Sequence, residues 1–305
     1  MRFKTLLLSL LLFAIALPAQ AGLIDNLKTR FDSRAGARQH ENTTESDKAV
    51  EEPHASTTRL AGITVAYWLP PSEMLPAPLI IFSHGFHGCK TQSTFLMEAL
   101  AAHGYVVVAP DHEDNSCGFG NMKPPVEAFR KVDGWTENTY VNRADDIKSV
   151  YKSLHDDRIW TKRIDWNNVG LAGHSLGGYT VLGLGGAWKS WKMPGIKSIL
   201  ALSPYCAPFV DDETLKNIDV PVMYQGGTRD LGITPWLKKE HGAFDQTPHG
   251  YYVELDKTGH FGWTGLISET HDEIIKYSLA FFDKTLKGDN TPMVKDSGAV
   301  TLRSK

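Results

Sequence analysis

The chain has 305 residues, 42% of them hydrophobic and 22% charged, enough for one large α/β domain or two small ones. Its formal charge is −3, and its Lys and Arg residues are scattered without a dense run, which excludes nucleic acid as a partner on electrostatic grounds. The three cysteines, Cys89, Cys117 and Cys206, are too dispersed for a zinc site, and neither a metal nor a cofactor is expected.

At the N-terminus, Met1-Arg2-Phe3-Lys4 is basic, residues 6–17 are apolar, and Pro18-Ala19-Gln20-Ala21 ends on a small-x-small pattern. This reads as a signal peptide (1–21) cleaved after Ala21, because the apolar run falls short of the roughly 20 residues that span a bilayer. Export to the periplasm or beyond is expected, with no stable membrane span after cleavage. No cysteine follows the cleavage point, so a lipid anchor is not expected. Cleavage removes Arg2 and Lys4 and no acid, taking the formal charge from −3 to −5. Export permits a disulfide. Cys89 with Cys117 is the expected pair, since both follow successive strands that should lie side by side; three unpaired thiols is the alternative.

Residues 22–30 have the character of a short helix, and 33–58 are polar and charged, so 22–58 is read as a tether. The folded domain is expected over 59–287. It opens with a strand at 63–68, ended by Pro70-Pro71, followed by a buried strand at 79–82, a helix at 94–103 and a strand at 105–110. A helix over 141–154 places Ile147, Val150 and Leu154 on one face. Strands follow at 199–202, 220–224 and 251–255, then a closing helix near 270–286. Residues 288–305 are expected to fray. Alternating strands and helices indicate a mostly parallel sheet covered on both faces. The stretch 115–138, rich in Gly, Pro and aromatic residues, is long for a connection. It reads either as a partial lid over the cleft or as a surface excursion.

The strongest motif is the apolar run 168–173 ending in Gly173-His174-Ser175-Leu176-Gly177-Gly178, followed by small residues with helical character. Gly-x-Ser-x-Gly permits a sharp strand-to-helix turn that lifts the serine hydroxyl into a cleft, making Ser175 a candidate nucleophile. A serine needs a base to take its proton and a carboxylate to orient that base. His260, in Gly259-His260-Phe261 after the last strand, is the best-placed base. His84, His87 and His112 precede the serine, His174 should face away, and His241, His249 and His271 follow no strand. Asp230, in the glycine-bounded turn 226–230, is the favoured acid. Asp211 and Asp212 compete from an expected helix start, where acids are commonly caps, and Asp256 from the strand end before His260.

The tetrahedral intermediate of acyl transfer requires two aimed N–H donors. Leu176, at the start of the elbow helix, supplies one; Phe86, in Ser83-His84-Gly85-Phe86-His87-Gly88, supplies the other. That turn has an alternative role as a simple chain reversal. A His84–His87 metal pair lacks a third ligand.

Together, Ser83-His84-Gly85-Phe86, the Ser175 elbow, Asp230 and Gly259-His260-Phe261 resemble the α/β-hydrolase superfamily over roughly residues 59–286. The resemblance is strongest to dienelactone-hydrolase-like esterases and to the platelet-activating-factor acetylhydrolase and polyester-hydrolase (cutinase-type) groups. Asp111-His112-Glu113-Asp114-Asn115-Ser116 is similar to the acetylhydrolase pattern, and Ser-x-Gly-aromatic to that of polyester hydrolases. The resemblance implies an α/β-hydrolase fold, oxyanion donors at Phe86 and Leu176, and an aromatic at Tyr205 that stacks on the acyl group. The chain departs from dienelactone hydrolases proper in having serine for their cysteine nucleophile. Its excursion at 115–138 is also longer than compact cutinase-type proteins carry.

Phe86, Trp135, Tyr205, Trp236 and Trp263 fall in loops expected to rim the cleft, which suits an apolar or aromatic acyl group; core packing is the competing role. Tyr205, Trp236 and Trp263 are taken as candidate substrate-binding residues. The expected activity is a secreted serine carboxylesterase acting on a small-molecule or lipid-like ester of short or medium chain through an acyl-enzyme. Phospholipase, lipase, acetylhydrolase, polyester hydrolase and peptidase activities remain alternatives. So do transfer of the acyl group to an alcohol and a binding protein on the same fold. No oligomeric state is read from the sequence.

Overall fold

The computed structural model describes residues 54–116, 122–291 and 300–305. The signal segment, most of the tether, the helix expected at 22–30 and Cys117 lie outside the described residues.

Among the described residues nine strands form one sheet: β1 (Ser56–Leu60), β2 (Ile63–Trp68), β3 (Ala77–Ser83), β4 (Val106–Pro110), β5 (Ile164–His174), β6 (Ile196–Leu202), β7 (Val222–Gly227), β8 (Gly250–Leu255) and β9 (Val300–Ser304). Their spatial order is β1-β2-β4-β3-β5-β6-β7-β8-β9. The six strands from β4 to β8 are parallel, while β1, β2 and β9 pair antiparallel at the edges. This is the expected α/β-hydrolase fold.

Strand side chains alternate between two cores. Leu79, Ile81, Val106, Val108 and Leu171 enter one; Ile80, Phe82, Val107, Ala109 and Ala172 enter the other. The first core is covered by α2 (Val141–Asp156) and α3 (Leu176–Leu182), the second by α1 (Thr94–Ala102) and α6 (His271–Phe282). Two further helices, α4 (Ala207–Asp211) and α5 (Thr234–Lys238), lie in the loops after β6 and β7. Each fully buried Val, Leu, Ile or Phe contributes about 1.5–3 kcal/mol. Helix α2 buries Ala144, Ile147, Val150 and Leu154 on the expected stripe, and one charged residue, Arg143, with them.

Strand β3 lies between β4 and β5, so the chain order reverses there and the loops leaving β3 and β5 diverge above a crevice, the usual ligand site of such sheets. Ser83, at the end of β3, pairs in register with Gly173, two residues before Ser175. The expected oxyanion turn and the elbow therefore emerge side by side.

At both ends of the domain the structure departs from expectation. The tether's last residues, from Ser56, belong to β1, which closes as a hairpin on β2. The C-terminal stretch does not simply fray: Val300–Ser304 pairs with residues 251–255 of β8, with Val300 buried. Val300-Thr301-Leu302-Arg303 alternates apolar and polar residues, a strand signal that was present in the sequence. No helix among the described residues is long and apolar enough to cross a membrane.

Candidate active site

Strand β5 stops at His174 and α3 starts at Leu176, so Ser175 alone makes the turn, with φ 55° and ψ −117°. A non-glycine residue in this region carries roughly 1–3 kcal/mol of strain. The turn is tight enough that side chains on the flanking glycines have no room. A Cβ on Gly173 would collide with the main chain of Gly177, and one on Gly177 with the Ser83 and His84 carbonyls.

The elbow presents Ser175 to a histidine. Ser175 Oγ lies 2.9 Å from His260 Nε2, and His260 Nδ1 lies 3.0 Å from Asp230 Oδ2. His260 opens a 3₁₀ turn after β8, and Asp230 sits just beyond β7. Three residues distant in sequence thus meet because three parallel strands end at one level. Burial by itself would raise the Asp230 pKa. The hydrogen bond and charge of His260, with the Ser203 hydroxyl, outweigh it and hold the carboxyl below its usual range, so Asp230 is ionised at neutral pH. The rival acids lie elsewhere. Asp256 accepts from Thr228 Oγ1 at 3.1 Å. Asp211 and Asp212 stand at the exposed C-terminal end of α4, not at a helix start as expected.

Sequence reasoning missed two supports. Ser203, buried at the end of β6 with φ 42°, donates its hydroxyl to Asp230 Oδ2 and lies 2.9 Å from His260 Nδ1. Gln92 accepts from Gly85 N–H through Oε1 (2.9 Å), which directs its Nε2 to His174 Nδ1 (3.0 Å). The remaining ring N–H of His174 then donates to the His260 carbonyl (2.9 Å). Burial first, and the nearby His260 second, depress the His174 pKa to about 3. The ring is neutral and serves as a fixed link between the oxyanion turn and the His260 loop.

On the opposite side, a buried polar cluster underlies the turn after β3. Ser83 Oγ lies 2.9 Å from His112 Nε2, and His112 Nδ1 lies 2.8 Å from Asp146 Oδ2. Both ring nitrogens of His84 are used by the main chain: Nδ1 donates to Gly85 O (2.7 Å) and Nε2 accepts from His112 N–H (3.0 Å). His84 is therefore not available as a metal ligand. His87 lies 2.7 Å from Lys123 O through Nε2, and its ring stacks on Phe86 at 3.7 Å. Of the candidate oxyanion donors, Leu176 N–H opens α3 at the first helical position, where an N–H has no intrahelical acceptor. Phe86 N–H lies in the turn beside it.

The aromatic residues divide. Phe129, from the 115–138 excursion, packs against Phe86 (5.6 Å) and Tyr205 (5.1 Å), and the Tyr205 hydroxyl donates to Phe129 O at 3.0 Å. Trp135 packs on Tyr205 at 4.5 Å and donates to Ala128 O. The described part of the excursion is thus a pinned aromatic wall beside the site. Trp236 is partly buried under Lys239, whose ammonium lies 3.7 Å from its ring centre. Trp263 is corrected outright. It is fully buried in the second core and donates to Gln225 Oε1 at 3.0 Å, so its ring cannot meet a substrate. Trp135, 3% exposed, is likewise core. Cys89 is disulfide-bonded, whereas Cys206 is a buried free thiol.

Residues 65–148 match the family model described as platelet-activating factor acetylhydrolase, isoform II. Over 246 residues the chain is 23% identical to cutinase est2 of Thermobifida alba, covering 79% of this chain and 70% of that protein. It is 24% identical over 238 residues to cutinase 1 of Thermobifida cellulosilytica, covering 77% of each. A cutinase of Thermobifida fusca (strain YX) gives 24% over 238 residues, 77% of this chain and 67% of the other. Sheet order and the switch-point crevice are those of the α/β-hydrolase fold, and along most of the domain the chain is similar to ester-bond hydrolases.

Proposed function

We propose that the protein is an exported serine esterase that cleaves short- to medium-chain or aromatic acyl esters through an acyl-enzyme. The observation that carries this reading is the continuous line from Ser175 Oγ through His260 to Asp230, 2.9 and 3.0 Å at its two links. In the first half-reaction Ser175 Oγ bonds to the ester carbonyl carbon while its proton passes to His260 Nε2. The carbonyl π electrons move onto oxygen, which faces the N–H groups of Leu176 and Phe86. Asp230 balances the imidazolium and keeps Nδ1 protonated. Collapse expels the alcohol, which takes the proton from His260. In the second half-reaction water repeats the sequence, its proton going to His260 and then to Ser175 as the acid leaves.

The aromatic wall of Phe86, Phe129 and Tyr205 favours an apolar acyl group. The motif at 1–21 and the bonded Cys89 support an oxidising compartment outside the cytoplasm. A second reading, attack on polymeric or lipid esters at a surface, is favoured by one observation. Leu231 and Phe261, next in sequence to Asp230 and His260, and nearby Leu266 and Ile267 are all exposed.

The test uses the exported chain with p-nitrophenyl esters of graded length, Ser175→Ala alongside, and an insoluble polyester and emulsified lipid for the second reading. Turnover of soluble esters that disappears in Ser175→Ala is expected. Wild-type protein that turns over no ester, or activity that survives the substitution, contradicts it. N-terminal sequencing of the exported protein should begin at Gly22.

A further inference from the structure

We infer that Arg143, held by Asp114, is a positioning residue that aims the Phe86 N–H at the developing oxyanion. The inference rests on the serine-esterase reading of the same site. Arg143 is fully buried in the first turn of α2, on the stripe that also carries Ile147, Val150 and Leu154. A guanidinium there carries a heavy desolvation cost, and an apolar residue usually serves packing as well or better. Its contacts explain its presence. Nε and Nη2 form a fork on the Asp114 carboxylate at 3.0 and 2.8 Å. The other N–H groups go to the oxyanion turn: Nη1 to His84 O (2.7 Å) and Ser83 Oγ (3.4 Å), Nη2 to Gly85 O (3.2 Å). All five guanidinium N–H groups are accounted for.

These bonds fix two successive peptide planes. In the first, His84 O is held by Arg143 and Gly85 N–H by Gln92. In the second, Gly85 O receives both His84 Nδ1–H and Arg143 Nη2–H. A trans peptide is planar with its C=O and N–H on opposite edges, so pulling Gly85 O toward Arg143 turns Phe86 N–H the other way. The turn runs against the elbow there: a Cβ built on Gly85 would stand 3.3 Å from Ser175 Cβ. The Arg143 charge also holds the Asp114 carboxyl down at about 2 against the upward push of its burial, so the fork stays ionic across the working pH range. Lysine, with three donors on a point charge, cannot reproduce the two-bond fork on Asp114 together with the bonds to His84 O and Gly85 O, four in all.

The experiment compares wild type, Arg143→Lys, Asp114→Asn and Ser175→Ala as full chains, with p-nitrophenyl butyrate as substrate. A trifluoromethyl ketone, whose adduct with serine carries the oxyanion, is the inhibitor. Arg143→Lys should lose about 10²-fold in kcat with KM within about twofold, and Asp114→Asn about tenfold. Inhibitor affinity should fall by the same factor as kcat/KM in each variant. A purely structural role would lower the melting temperature without that proportionality. Should Arg143→Lys not fold, Asp114→Asn, nearly isosteric, carries the test alone. A folded variant with kcat within threefold of wild type, or kinetic loss without matching loss of inhibitor affinity, overturns the inference while inactive Ser175→Ala leaves the esterase reading standing. Activity surviving in Ser175→Ala overturns both.

Discussion

Asp230 and His260 meet through one carboxylate oxygen and one ring nitrogen, and the Ser203 hydroxyl bonds to both. Each of these contacts favours the ionised acid, so the acid carries its charge well below neutrality. Asp230→Asn should therefore cost about 10³- to 10⁴-fold in kcat through loss of charge and disturbance of the tautomer, with the fold retained. Ser203→Ala removes a hydrogen bond worth about 1 kcal/mol, and about a fivefold loss in kcat is expected; steady-state kinetics on the two purified variants measures both. Ser175, Asp230 and His260 were legible in the sequence because a glycine pattern marks one and strand ends mark the others. Ser203, Gln92 and His174 were not, since their importance lies in partners up to 86 residues away. Arg143 did leave a trace, as a charge on an otherwise apolar helical stripe. Trp263 was misjudged because loop position says nothing about which way a ring turns.

Among the elements, the elbow tolerates least. Gly177 touches the end of β3 so closely that a single methyl group would push the oxyanion turn from its place. Gly177→Ala should abolish activity and lower the melting temperature, whereas Gly259→Ala, where an added Cβ meets nothing within 4 Å, should leave the melting temperature within about 2 °C of wild type. Thermal melts of the two variants decide the point. Edge strand β9 makes the second prediction at this scale. It covers the β8 edge along five residue pairs, and truncation after Thr291 would bare that edge. The shortened chain should aggregate at concentrations where the full chain stays monodisperse by light scattering. The central strands were legible as apolar runs, but β1 and β9 are short and half polar, and their pairing depends on edges that only the assembled sheet provides.

For the whole molecule, three buried histidines set the response to acid. His84 and His112 are pushed well below their ordinary pKa, mainly by burial and then by Arg143, and His174 to about 3. A histidine depressed in the folded state binds its proton only on unfolding, so stability is full above pH about 6.5 and falls as pH drops below it. Asp146 acts in the opposite direction. Burial raises it to about 6, so between pH 6 and 4 the folded state holds a proton that the unfolded chain does not. The three histidines outnumber Asp146, so the unfolded chain takes up net protons as pH falls and stability declines with it. Melting temperature should decline steeply from pH 6 to pH 4, and His174→Asn should flatten the slope by about one proton. A melting temperature that rises as pH falls over that range, as Asp146 alone would dictate, would show that these histidines titrate normally.

The central claim is that Ser175 becomes covalently acylated, and active-site labelling tests it most directly. Wild-type protein treated with a fluorophosphonate should gain the mass of one adduct, mapped by peptide mass spectrometry to Ser175, and lose ester turnover in step; His260→Ala should label far more slowly. An adduct on another residue, or full inhibition without any adduct on Ser175, would contradict the account.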